Sequence, residues 1–210
     1  MKIAMIGAGY VGLTSGACLA RIGHRVTCVD SDAGRIDLLK NGGMPIYEPG
    51  LKEIIVSETS AGRLSFTTDV RAAVAASEVS FIAVGTPPRE NGEPDLAQVE
   101  NVARDIAGSM NGYHVIVEKS TVPVQTGKWL RATVERHNRN RIPFDVASNP
   151  EFLREGSAVH DFLNPHRIVI GVESERAREL LLEVYRPLSA PKIVTDIASA
   201  ELIKHASNAF

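Results

Sequence analysis

The chain has 210 residues, 44% of them hydrophobic and 23% charged, enough to close one sizeable core and to make a single globular domain the default expectation. Its formal net charge of -2 gives no long-range pull toward nucleic acid or an anionic membrane, so any anionic ligand must be recognised by a local site. No stretch reaches the roughly 18 uninterrupted apolar residues of a membrane-spanning helix. The two cysteines, Cys18 and Cys28, sit in apolar surroundings without metal-ligand spacing, so a soluble chain in the reducing cytoplasm is expected.

The chain opens with KIAMI at 2–6, read as a strand, followed directly by G-x-G-x-x-G at Gly7, Gly9 and Gly12 and by a helical pattern that ends at Gly23. A lone Lys2, an apolar run and small residues through GACLA also resemble a secretory signal, but cleavage there would destroy the first βα unit. As a strand and turn, the stretch has a physical logic. Gly7 permits the tight turn, Gly9 lets a pyrophosphate approach bare backbone, and Gly12 lets helix and strand pack closely. The helix-start amides then face the phosphates, with Tyr10 and Val11 between the glycines in the same cofactor contact.

The second strand, HRVTCV at 24–29, ends in Asp30, where this fingerprint wants a carboxylate for the adenosine ribose. A carboxylate there repels a 2′-phosphate and argues for NAD over NADP, with Arg35 as a counter-signal. The bland alternative is a glycine turn in a fold without a cofactor.

Further strands are expected at VSFIAV (79–84), HVIVEKS (114–120), DVAS (145–148), RIVIG (167–171) and KIVT (192–195). Helical patterns lie at 32–41, 51–61, 69–77, 95–110, 126–138, 175–188 and 197–210, with Asp95 and Gln98 forming a capping box at the start of the fourth. This alternation predicts an α/β, doubly wound, Rossmann-like and mainly parallel sheet. The last helical pattern has no terminating signal, so the expected division is a cofactor domain over 1–196 and the start of a linker helix over 197–210, in a longer protein or a chain cut at a domain boundary.

Several blocks now combine: GGMPIYEPGL at 42–51, FIAVGTPP at 81–88, KSTVPVQTG at 119–127, SNPEFLREGSAVHDFLNPHRIVIG at 148–171 and SAELIKHASNAF at 199–210. In this order, over essentially the whole chain, they resemble the UDP-glucose and GDP-mannose dehydrogenase family, most closely its UDP-glucose 6-dehydrogenase branch. The resemblance implies oxidation of a nucleotide-sugar alcohol, UDP-glucose above all, to a carboxylate with two NAD+ in succession, through a cysteine-bound aldehyde and thioester. It implies Thr121 as a residue positioning the catalytic water, and Glu151 and Glu155 as active-site glutamates, Glu155 also beside the nicotinamide. Phe152, Leu153 and Arg154 would line the substrate pocket, and Lys204 with Asn208 would polarise the reacting oxygen. Thr86, Pro87 and Ser120 fall where the family contacts NAD. A homodimer or higher assembly of the full-length enzyme is implied too, and the family's nucleophilic cysteine is expected beyond Phe210.

Chemistry alone reads the same residues more openly. Hydride removal from an alcohol needs a group to take the hydroxyl proton, and an aldehyde or thioester oxygen needs donors aimed at it. Lys204 and Asn208, four apart, share one helical face, with Leu202, Ile203, Ala206 and Phe210 largely on the other. The alternative is a solvated face with Glu201 and His205 as an exposed pair, while Glu151 and Glu155 could be plain loop carboxylates and Thr121 a helix cap. Cys18 and Cys28 are poor nucleophiles if buried. The basic run at 131–141 reads as a solvated helix end rather than a nucleic-acid patch, and His114, His160 and His166 lack ligand spacing, so no metal is assigned. GDP-mannose as substrate, or a non-catalytic NAD-responsive module, stays open.

Overall fold

The computed structural model describes all residues 1–210. Eight strands form one sheet: β1 (Lys2–Ile6), β2 (Arg25–Val29), β3 (Leu64–Thr67), β4 (Val79–Ile82), β5 (His114–Glu118), β6 (Phe144–Ser148), β7 (Ile168–Gly171) and β8 (Lys192–Thr195). Their order is β3-β2-β1-β4-β5-β6-β7-β8. The first six run parallel, β7 meets β6 antiparallel through the single pair Ser148 and Gly171, and β8 runs parallel to β7. The strand order reverses between β1 and β4, so the crevice for a ligand lies beyond their carboxyl ends.

Nine helices cover the sheet: α1 (Tyr10–Arg21), α2 (Ala33–Lys40), α3 (Leu51–Ser60), α4 (Val70–Ala75), α5 (Ala97–Ser109), α6 (Thr126–His137), α7 (Ala158–Leu163), α8 (Glu175–Val184) and α9 (Ile197–Ala209). Strand alternation divides the core in two. Ile3, Met5, Val115 and Val117 pack with Leu13 of α1, Ile55 of α3, Phe162 of α7 and Leu181 of α8. Ala4, Ile6 and Ile116 pack on the other face with Val74 of α4, Ile106 of α5, Leu130 of α6 and Ile197 of α9. Continuous apolar strands are thus buried on both sides, as a sheet with helices on both faces requires.

The structure departs from the sequence expectations in several places. β3 and α7 were not anticipated. The capping box at Asp95 is not formed: its Oδ1 accepts from the Ala97 amide at 2.9 Å, and α5 starts only at Ala97. The basic run ends α6 at His137, with Arg131 turned to Asp145 and Glu173 at 3.7 and 3.6 Å.

Candidate active site

The glycine turn is built by contact. A side chain at Gly7, whose φ is +102°, would meet the Ala83 carbonyl oxygen at 2.3 Å, and one at Gly12 would meet the Gly7 carbonyl oxygen at 1.9 Å. At Gly9, by contrast, a Cβ would meet nothing within 4 Å, so this backbone faces open space. Gly9 caps α1 without any side-chain hydrogen bond, and the first turn carries no acidic residue. The amides of Tyr10, Val11 and Gly12 are therefore free to face an anion at the positive end of the helix.

Asp30 closes this site from β2. One oxygen accepts from the Ala8 amide and from Arg35 Nη1, both at 2.8 Å; the other accepts from the Asp32 amide at 3.0 Å. Burial pushes its pKa up, but the hydrogen bonds from Asp32, Ala8 and Arg35 outweigh it and hold the carboxyl below its usual range. The Asp30 carboxylate is ionised and retains one lone pair, on Oδ1, for a ribose hydroxyl. Arg35, the counter-signal for NADP, is paired with it. An NAD diphosphate and ribose fit these residues: open backbone at Gly9, uncapped amides and an ionised acceptor one strand away.

Beyond β4 and β5, two loops are tied side by side. Thr86 Oγ1 donates to the Thr121 carbonyl at 2.9 Å, and Ser120 Oγ donates to the Val84 carbonyl at 2.8 Å. His205 of α9 joins the same loop through its Nε2 and the Val122 carbonyl, 2.7 Å apart. Pro87 is exposed at its rim.

The loop after β6 carries the next group. Lys204 Nζ donates to Glu151 Oε1 at 2.9 Å and to the Glu151 carbonyl at 2.7 Å, with the two side chains only 10% and 11% exposed. An ammonium has three donors, so one remains. The Phe152 ring has two cations over it, Lys204 Nζ at 5.7 Å and the Arg167 guanidinium at 4.6 Å from its centroid. Glu151, Phe152, Leu153, Arg154, Arg167 and Lys119 line a cavity of about 280 Å³. Arg154 reaches Asp161 through two nitrogens at 3.0 and 2.7 Å, and holds that carboxyl far below the usual carboxylate range.

The structure thus brings together Glu151, Phe152 and Lys204, and separately Thr86, Ser120 and Thr121. Glu155 and Asn208 are exposed and their side chains make no hydrogen bond, so Asn208 does not join Lys204 in the contact with Glu151. The buried face of α9 carries charge beside Ile197 and Ala200: Glu201 is 2% exposed, whereas Leu202 is 57% exposed. Glu201 is therefore no exposed partner of His205. It accepts from the Gln125 and Gly127 amides at 2.6 and 2.7 Å, capping α6. Both cysteines are fully buried, and burial pushes their thiols up to about 12.

Sequence reasoning missed three buried groups near this crevice. Glu118, at the end of β5, accepts from the Ser120 amide at 2.8 Å while its other oxygen has no partner, and burial raises its pKa to about 8. Lys119 donates to Asn149 Oδ1 at 3.0 Å, with burial lowering its pKa to about 8. Glu48 lies within the GGMPIYEPGL block. Its signal is E-P-G-L: Pro and a Gly at φ +79° in the middle of a turn closed by the Leu51 amide on the Glu48 carbonyl.

A doubly wound sheet with an uncapped glycine turn at its switch point, and a lysine–glutamate pair above the carboxyl ends, defines the dinucleotide-binding domain of an oxidoreductase. The chain belongs to the UDP-glucose/GDP-mannose dehydrogenase family, whose NAD binding domain matches residues 1–189. It is 52% identical to UDP-glucose 6-dehydrogenase TuaD of Bacillus subtilis over 209 residues, all of this chain and 45% of that protein. It is 53% identical to UDP-glucose 6-dehydrogenase of Rhizobium meliloti, covering 49% of it. A UDP-glucose dehydrogenase from Pyrobaculum islandicum superposes with a TM-score of 0.95 at 45% identity, over 98% of this chain and 48% of that one. GDP-mannose dehydrogenase from Pseudomonas aeruginosa gives 0.96 at 40% identity, over 100% and 49%. The chain spans about half the length of the curated relatives it matches.

Proposed function

We propose that this chain is the NAD-binding half of a UDP-glucose 6-dehydrogenase, converting UDP-glucose, 2 NAD+ and water into UDP-glucuronate and 2 NADH. The observation that carries the reading is the Lys204 ammonium, nearly buried and anchored on Glu151 beside the crevice of a family NAD site. When bound, NAD+ supplies the hydride acceptor.

The chain's own residues do the rest. The amides of Tyr10, Val11 and Gly12 hold the diphosphate, Asp30 the ribose, and Thr86, Pro87, Ser120 and Thr121 flank the nicotinamide end with Glu155. Lys204, with one donor free, steadies negative charge on the reacting oxygen, assisted by Asn208. Glu151 holds Lys204 in place and Thr121 orients water. Phe152, Leu153 and Arg154 line the sugar side of the cavity. Cys18 and Cys28 are inert thiols, so the nucleophile that holds the aldehyde belongs to the remainder of the longer protein. Residues 1–196 form the cofactor domain, and 197–210 begin the helix leading to that remainder. We assign the enzyme to the cytoplasm, as a homodimer or larger.

The test is stoichiometry with the full-length enzyme. Two NADH per UDP-glucose consumed are expected; one would mean a simple alcohol dehydrogenase, and no saturable NAD+ binding would remove the cofactor assignment. GDP-mannose is the second reading, supported by the superposition at 0.96, but identity is lower, 40% against 52% and 53%. Competition between the two nucleotide sugars separates them.

A further inference from the structure

Glu48 is 5% exposed and lies outside the groups assigned above, yet it takes three donors. The Tyr10 hydroxyl donates to its Oε2, as does the Gly156 amide at 2.8 Å, and the Ala158 amide donates to its Oε1 at 2.7 Å. These hydrogen bonds overcome burial and hold its carboxyl below the usual range. Tyr10 is the first residue of α1, whose amides face the cofactor. Its hydroxyl also lies 3.3 Å from the Arg154 carbonyl. Glu155 therefore directly precedes Gly156, whose amide Glu48 holds, and directly follows Arg154, whose carbonyl lies within reach of the Tyr10 hydroxyl.

The sequence builds this clamp locally. Pro49 keeps Glu48 extended, and the turn at 48–51 sends its side chain inward rather than along α3. Ser157, at the N-cap of α7, makes no side-chain cap, and Glu48 takes that place from 110 residues away. A helix needing only a cap is served by its own Ser; here the acceptor comes from a segment that also holds the glycine turn's helix.

We propose that Glu48 is a positioning residue which, through Tyr10, couples occupancy of the cofactor site to the placement of Glu155. The inference rests on the dehydrogenase reading only for Glu155's role; the clamp itself is independent of the substrate. Glutamine at 48 offers one carbonyl oxygen and an NH2 group, so it cannot accept from all three donors.

In the full-length enzyme, Glu48→Gln is expected to lower kcat roughly 10- to 100-fold, the scale of a displaced reacting group. KM for the nucleotide sugar should stay within roughly threefold, since uniform binding is untouched. Hydrogen exchange supplies the second readout: NAD+ slows exchange at the Gly156 and Ala158 amides of the wild type and leaves it unchanged in Glu48→Gln. Should Glu48→Gln fail to fold, Tyr10→Phe removes the hydrogen bond from α1 to Glu48 while both amides keep Glu48, and it should lose the NAD+-dependent slowing. A lower melting temperature with unaltered kcat, or exchange at 156 and 158 indifferent to NAD+ in the wild type, would overturn the proposal. A wild type that binds NAD+ and shows the slowing but oxidises no nucleotide sugar would defeat the proposed function and leave the clamp standing.

Discussion

Lys204 and Glu151 depend on each other: without the ammonium, a carboxylate 11% exposed loses the cation that touches it and, on the proposed function, the reacting oxygen loses a donor. Lys204→Ala should therefore lower kcat of the full-length enzyme roughly 100- to 1,000-fold, the usual effect of removing one oxyanion donor, as steady-state kinetics will show. Glu118 makes a different prediction, about pH. Its pKa rises from 4.5 to about 8 on folding, so between those values the folded state keeps a proton that the unfolded state has lost, and stability falls as pH rises. His114, lowered from 6.5 to about 4 by burial, acts oppositely but only below 6.5. The two offset each other in the acid range. Between pH 6.5 and 8 Glu118 acts without that offset, so the melting temperature should decline there and should stay level in Glu118→Gln. Neither group was legible in the sequence, because a carboxylate or imidazole ending an apolar strand looks the same whether its pocket is wet or dry. The turn at Gly7, Gly9 and Gly12, with the Asp30 carboxylate against it, was legible, since backbone clearance demands glycine at that spacing and the acid follows at the end of the next strand.

At the level of elements, α9 is set by close approach. A Cβ on Gly171 of β7 would come within 2.6 Å of the Ala200 side chain, and one on Gly127 of α6 within 2.4 Å of Ile197. With the helix seated there, Glu201 reaches the two amides that open α6. Glu201→Ala leaves both without an acceptor and should destabilise the chain by about 1–3 kcal/mol in urea unfolding. Periodicity had placed Lys204 and Asn208 on one face of α9 and offered Glu201 to solvent. It could not tell that Glu201 and Lys204 share the buried face with Ile197 and Ala200, since amphipathic patterns assume apolar burial. The short elements escaped for a related reason: β3 has four residues with only Leu64 and Phe66 buried, and α7 has six, too few for a period to register.

Over the whole molecule, the turning point is the seam between β6 and β7, where the sheet changes direction across one residue pair. Asn149 fastens it: Nδ2 donates to the Val169 carbonyl at 2.8 Å, while Oδ1 accepts from Lys119 at 3.0 Å and from the Tyr185 hydroxyl at 2.5 Å. Asn149→Ala leaves a buried ammonium only the main-chain carbonyl at 3.4 Å and a buried phenol no acceptor, and should cost about 3 kcal/mol of stability by denaturant titration. The same asparagine begins the loop that carries Glu151, so the seam and the site share a foundation. By itself the sequence determined the α/β class, the cofactor turn and the family, because alternating strands and helices and a glycine turn followed by an acid are constraints written in consecutive residues. Only the tertiary structure decided the antiparallel seam, the inward charge of α9 and the reach of Glu48 to residues 156 and 158. An apolar strand carries no mark of its direction, and a buried charge is stable only beside partners that the chain supplies from far away in its length.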